Sequence, residues 1–442
     1  MRERKDQLKM QVRRKLQQLT TSSGVADTMT LVDALERLGV DNHFHDEITT
    51  ALRRVVHHDE HECVASTSSG DNGDLHTVSL RFRLLRQHGF RVSTGSFRES
   101  LSSDTRGLLS LYNAAHLAIP GEEALDDAIA FSRRHLRSME GKLMSPMAGQ
   151  VARALDIPLP RAPRRLETMR YIAEYSKDPK TFDNVVLELA RLDFELLRFL
   201  HLRELKDLSV WWREVHDSVK LSYARDRIVE CYLWACVLFH EEEYSRARII
   251  FAKVTALTSL MDDTYDVHAT IEECHKLNVR DGIRRLFLFC QNIYTLPGAS
   301  HGGAGRRSRR GCGDSGGILV ACLVPDLVRA SGEVARFLND IASYKVKRNG
   351  TDIPSMVECY MAEHGVGSEA AVAAVATLVE HAWRTINQAS IEVNPAWLPA
   401  TRLVVNLTQV LEVIYHRVQD LYTFGTDNKA VVTNLFLNPI PV

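Results

Sequence analysis

No apolar run in this 442-residue chain reaches the roughly 20 residues that a helix needs to cross a bilayer, so no membrane span is expected. A formal net charge of −1 gives no basic field, which argues against nucleic acid as a partner. The eight cysteines, Cys63, Cys231, Cys236, Cys274, Cys290, Cys312, Cys322 and Cys359, form no CxxC pair and no metal-ligand spacing. They exclude a disulfide framework or zinc site and read as thiols, mostly buried, in a reducing compartment. The opening MRERKDQLKMQVRRKL is a charged helical pattern with no signal-peptide core. It carries Glu3 and Asp6, and no serine before Ser22, so it is also unlike a transit peptide. Cytoplasmic localisation is the resulting expectation.

The remaining text is mostly helical in pattern, in a chain long enough for two domains. Leu31, Leu35, Leu38 and Val40 mark one packing stretch, and a polar break at 66–74 reads as an exposed loop. LHTVSLRFRLLRQHGF predicts an amphipathic helix from Leu75 to His88, capped by Gly89. His57, His58, His61, His76 and His88 read as surface or packing residues. A first helical domain is expected over 1–180 and a second over 181–442. The second opens on a helix whose apolar face includes Leu187, Leu189, Leu192, Phe194, Leu197, Phe199 and Leu200, with Trp211 and Trp212 as core or interdomain residues.

The organising stretch is RARIIFAKVTALTSLMDDTYD, from Arg246 to Asp266. Ile249, Ile250, Phe251, Val254, Leu257, Leu260 and Met261 recur at helical spacing and predict a buried helix. Asp262 and Asp266 then share one face four positions apart, with Asp263 beside them. Clustered carboxylates at the negative end of a helix repel one another, and a hard cation such as Mg²⁺ reverses that. A solvated acidic helix end is the plainer alternative.

Two further groups carry chemistry. Arg225 and Arg227, in YARDRIVECYLW, reach the same side of an extended segment or helix entrance, where guanidinium forks match phosphate oxygens. The alternative is a surface cluster satisfied by Asp226 and Glu230. Asn339 and Ser343 share a face of a helix packed through Val334, Phe337, Leu338 and Ile341. They are either two oxygen ligands for a hard cation or a plain solvent-facing pair. Residues 278–317 lose the apolar period, are Gly/Ser/Arg-rich from Gly298, and read as a structureless insertion.

With RDR at Arg225 to Arg227, DDTYD at Asp262 to Asp266 and NDIAS at Asn339 to Ser343 in this order, the chain resembles the plant class I terpene synthases. Its likeness is to the sesquiterpene cyclases of monocot type. VECYLWA, EEYSRARIIFAKV, RASGEVARFLNDIASYK and FRLLRQHGF also look like family text. The resemblance implies an all-α fold of two helical domains: an N-terminal α-barrel-like domain and a C-terminal class I α-bundle, here incomplete. It implies ionisation of farnesyl diphosphate to a carbocation that is cyclised to a sesquiterpene, by a monomer whose partner is a prenyl diphosphate. Three Mg²⁺ ions are implied, with Mn²⁺ as an alternative. Asp262 and Asp266 would hold two ions, with Asp263 behind them, and Asn339 and Ser343 the third; Arg225, Arg227 and Arg336 would hold the diphosphate. Trp234 matches the family's cavity tryptophan, and Tyr415, Asp420 and Tyr422 match its closing loop; for these aromatics a core role stays open.

The sequence departs from this pattern at Lys347, where a third metal-binding acid is expected, and in the short interval between Asp266 and Asn339. The family's amino-terminal strand and arginine-tryptophan segment are also missing. A catalytically impaired relative is therefore the alternative reading. An isoprenyl chain-elongating enzyme ranks last, because NDIAS stands where a second aspartate-rich cluster would be required.

Overall fold

The computed structural model describes residues 1–22, 24–65, 74–93, 104–178, 181–219, 225–263, 325–345, 354–415 and 428–438. Among them there are helices and no β-strand. In chain order these are α1 (Arg2–Ser22), α2 (Val25–Arg37), α3 (His45–Ala65), α4 (Leu75–Gln87), α5 (Thr105–Ala115), α6 (Glu123–Met139), α7 (Met147–Asp156) and α8 (Arg164–Tyr175). There follow α9 (Asn184–Val219), α10 (Ile228–Leu238), α11 (Ser245–Asp263), α12 (Pro325–Lys345), α13 (Met356–His364), α14 (Ser368–Glu392), α15 (Leu398–Ile414) and α16 (Asn428–Val432). No helix among the described residues is long and apolar enough to cross a membrane.

Local chemistry sets the helix ends. The Asp74 carboxylate accepts from the Thr77 N–H at 2.9 Å and starts α4. The expected helix from Leu75 closes at Gln87, and Gly89 takes a φ of +81° that a side chain would strain. α13 opens on a capping box between Ser355 and Glu358 and ends at Gly365 in the left-handed region. The predicted break at 66–74 falls, but for Asp74, outside the described residues.

Two compact units result. The first comprises Met1–Arg198 with Arg329–Val442, the second Phe199–Val328. In the first, α4, α5 and α6 bury Phe82, Ala114, Leu117 and Leu125. α5, α6 and α7 bury Leu108, Tyr112, Leu136 and Val151. Ile341 of α12 packs on Val357, Ala371 and Val375 of α13 and α14. Polar bonds join the early and late parts of this unit: Asn387 Nδ2 donates to the carbonyls of His116 and Ala118, and Arg161 forks onto Glu380 at 2.8 and 2.6 Å. Leu35, Leu38 and Val40 are buried as expected, as is Phe194 of α9. Phe199, placed by periodicity on the apolar face, is 55% exposed.

The second unit is built on α10, which is apolar on every side and buried along almost its whole length. Against it α11 lays a stripe of small or polar residues: Arg248, Ala252, Ala256, Ser259 and Asp263 are buried. Large apolar residues such as Ile249, Phe251, Val254 and Leu257 are only half-buried. That overturns the expectation that they form the buried face. Small side chains at the line of contact let two helices approach closely, and bulky ones are displaced to the flanks.

Candidate functional site

Each unit contributes candidate residues, beginning with the second. Arg225 to Arg227 are non-helical, and Arg227 is the residue at the N-terminal boundary of α10. Arg225 turns to the carboxyl end of α11, where its Nε donates to Asp263 at 2.7 Å and its backbone N–H to the same carboxylate at 3.0 Å. Burial alone would raise the Asp263 pKa, but these bonds and the charges of Arg225 and Arg227 hold it below the usual carboxylate range. Arg227 meets Glu230 at 2.9 Å, the local pairing that the plainer reading anticipated. Asp262, one residue from Asp263, is exposed. The two neighbouring acids thus differ in burial: Asp263 is buried on an arginine and Asp262 is exposed. Asp266 lies outside the described residues.

Trp234 is 3% exposed within α10, and its indole N–H has no hydrogen-bond partner. The unit is pinned by a buried ionic network that sequence reading missed. Arg248, fully buried, forks onto Glu204 of α9 at 2.9 Å through Nε and again through a terminal nitrogen. Its other terminal nitrogen donates to the carbonyls of Phe239 and Glu241. Glu204 also accepts from the Tyr232 hydroxyl and the Ser245 hydroxyl, each at 2.6 Å. Burial would raise the Glu204 pKa, but these donors lower it below its ordinary value. An arginine at the head of an apolar helical run was the available signal.

In the first unit, α12 presents Asn339 and Ser343 one turn apart, both half-buried. The Ser343 hydroxyl donates to Asn339 Oδ1 at 3.3 Å, and Asn339 Nδ2 donates to the hydroxyl of Tyr415, which ends α15, at 2.9 Å. The amide oxygen and the serine hydroxyl are thereby brought together. Asp340 between them is buried and structural: it accepts from Arg336 Nε at 3.1 Å and from the Met356 N–H at 2.9 Å, at the start of α13. Arg336 is otherwise solvent-facing. Lys347, Asp420 and Tyr422 lie outside the described residues, as does the stretch 278–317.

Carboxylate, amide and hydroxyl oxygens of this kind suit a hard divalent cation such as Mg²⁺. Among the described residues no three His, Cys, Asp or Glu side chains gather as a ready metal site. The donors that fit are Asp262 in one unit and the adjacent oxygens of Asn339 and Ser343 in the other.

Family models match in three blocks: "Terpene synthase, N-terminal domain" over 1–155, "Terpene synthase family, metal binding domain" over 213–280, and "Terpene synthase family 2, C-terminal metal binding" over 320–385. A eudesmanediol synthase of Zea mays is 44% identical over 519 positions, taking in 100% of this chain and 91% of the relative. Since 519 positions span 442 residues, at least 77 of them have no counterpart here. A tau-cadinol synthase of Zea mays is 37% identical over 95% of this chain and 89% of its own length. Among solved structures, isoprene synthase from grey poplar, in complex with three Mg²⁺ ions and dimethylallyl-S-thiolodiphosphate, superposes with a TM-score of 0.81 at 26% identity. It covers 99% of this chain and 97% of its own.

Proposed function

This chain belongs to the terpene synthase family, and we propose that it is a Mg²⁺-dependent sesquiterpene synthase that ionises farnesyl diphosphate and cyclises the resulting carbocation, releasing diphosphate. The observation that carries this reading is the likeness to sesquiterpene synthases over the full chain, eudesmanediol synthase at 44% identity among them.

In this reading Asp262 and Asp266 hold two Mg²⁺ ions, and Asn339 and Ser343 a third, with Mn²⁺ as a substitute. The number three follows the isoprene synthase complex. When bound, the ions supply positive charge that stabilises the leaving diphosphate. The protein's own part is orientation. Asp263 holds Arg225 through two hydrogen bonds, so its task is to fix an arginine toward the anion rather than to ligate. Arg227 and Arg336 complete the diphosphate contacts. Tyr415 takes the Asn339 N–H and leaves the amide oxygen beside Ser343. Trp234 offers a ring face to cationic carbons. Asp420 and Tyr422 keep the closing-loop role that the family resemblance implies. Functionally the chain divides at 1–180 and 181–442, and it works as a cytoplasmic monomer.

The test is metal dependence by position. Asp262→Ala and Asn339→Ala should each abolish, or raise at least tenfold, the Mg²⁺ concentration needed for half-maximal turnover. Unchanged Mg²⁺ dependence in both would remove them from the site.

A second reading, a catalytically impaired relative, is favoured by two observations. Lys347 brings an ammonium where an acid is expected. At least 77 positions of the alignment with eudesmanediol synthase have no counterpart here, and residues 281–319 fall between the two metal-binding family matches. An open pocket quenches carbocations with water.

A further inference from the structure

A cavity of about 290 Å³ in the first unit is lined by none of the residues assigned to the reaction. It lies among the ends and faces of α2, α5, α7 and α8, with Val413 of α15 and Val431 of α16 completing the wall. Most of its surface is apolar, including Leu109, Ala154, Ile157, Leu159 and Leu166. Its volume is near the lower end of ligand pockets, about 300 Å³. It is about twice a cavity of ~150 Å³ that takes one benzene ring.

The polar part of the wall holds Arg37, Arg153 and Arg170 beside Asp156 and Glu167. Arg37 forks onto Glu167 at 3.2 and 2.7 Å while its guanidinium stacks 3.7 Å over the Tyr171 ring. Arg153 forks onto Glu174 at 2.7 and 2.8 Å and lies 3.6 Å from Glu167. Both carboxylates are thereby engaged. Arg170, a third cation of the wall, is exposed and takes no part in the ion pairs that engage Arg37 and Arg153. Its outer side is open to solvent, and its pKa is lowered, first by burial and then by Arg153, with Glu167, Glu174 and Asp156 opposing the shift from a distance. Inside, Asn113 Oδ1 is committed to the Leu159 N–H at 3.0 Å, so the group it offers the cavity is its NH2, a donor.

We propose that this cavity binds a small amphiphilic carboxylate, an apolar body of about two fused rings whose single anionic head sits on Arg170. One guanidinium outside the two forked pairs suits one planar carboxylate. A diphosphate would bring more negative charge than Arg170 offsets, against Glu167 and Asp156 in the same wall. This goes beyond the terpene synthase reading and needs no prenyl substrate, so it stands or falls separately.

The experiment is calorimetric titration of the full chain with 1-naphthoate and with its neutral analogue 1-naphthalenemethanol. The proposal expects one-to-one binding of naphthoate at least tenfold tighter than the alcohol. Arg170→Gln, at an exposed position that does not threaten folding, should erase the preference while leaving the alcohol's affinity unchanged. Ala154→Phe, which fills the apolar end, should abolish both, with helicity checked by circular dichroism. Equal affinity for the two compounds, or a preference that survives Arg170→Gln, would overturn the proposal. So would naphthoate binding that persists in a folded Ala154→Phe chain, because the ligand would then sit elsewhere.

Discussion

Replacing Arg248 by Ala should loosen the whole second unit. The substitution deletes four hydrogen bonds, three of them buried: two to Glu204 and two to the carbonyls of Phe239 and Glu241. It also leaves Glu204, 4% exposed, as an ionised group with only the Tyr232 and Ser245 hydroxyls. Breaking a buried pair by removing one partner costs about 3–5 kcal/mol. Arg248→Lys keeps the charge, but one ammonium cannot span both the carboxylate and the two carbonyls, so a loss of about 1–3 kcal/mol is expected. Because a chain with two compact units does not promise a single unfolding step, the assay is native-state hydrogen exchange of α10 and α11 amides. A loss of 3 kcal/mol corresponds to roughly a hundredfold faster exchange. Acceleration of less than about tenfold in Arg248→Ala would refute the claim that this network ties α9, α10 and α11 together. The pH dependence has a definite sign. The Glu204 pKa is lowered from 4.5, so its contribution is present above that value and is lost as pH falls through the folded pKa.

Asp263→Asn should release Arg225 and raise the KM for the prenyl diphosphate more than it lowers kcat; equal loss in both, or none, would argue against an orienting role. Acidification should destabilise the first unit in two stages, read by circular dichroism against pH. His116, pushed down to about 3 by burial and then by Arg161, withdraws stability as pH drops below 6.5. Asp193 and Glu380 are each held at about 2 against the effect of burial, by His43 with Lys5 and by Arg161 respectively, and their contribution goes between about pH 4 and pH 2. Flat stability from pH 6.5 to pH 3 would contradict this. Lys347→Glu should restore a metal ligand and lower the Mg²⁺ requirement at least several-fold; if turnover stays absent, the missing segment and not the charge is limiting.

Much of the fold can be read from local pattern because helices are local objects. Leu75 to Gln87 follows from an aspartate cap, a 3.6-residue apolar period and a glycine. What escaped was which side of an apolar helix is inward. On α11 the large residues pointed to one face and the small ones were buried instead, since the partner helix, not α11's own composition, decides where closest approach occurs. The site was legible as residue types in order, RDR, DDTYD and NDIAS. Their division of labour came only from the family resemblance, not from the residue types themselves. Two adjacent aspartates look alike in text, yet Asp263 is buried on Arg225 while Asp262 is exposed, and in NDIAS it is Asp340 that is structural. The Glu204–Arg248 pair joins positions 44 apart, a separation at which no periodicity operates.

The most direct test is incubation of the purified, folded chain with farnesyl diphosphate, with and without Mg²⁺, reading released diphosphate and organic products together. The account predicts diphosphate and a cyclic sesquiterpene in matching amounts, both lost on chelation. No diphosphate release, chelator-insensitive release, or farnesol as the sole product would contradict it.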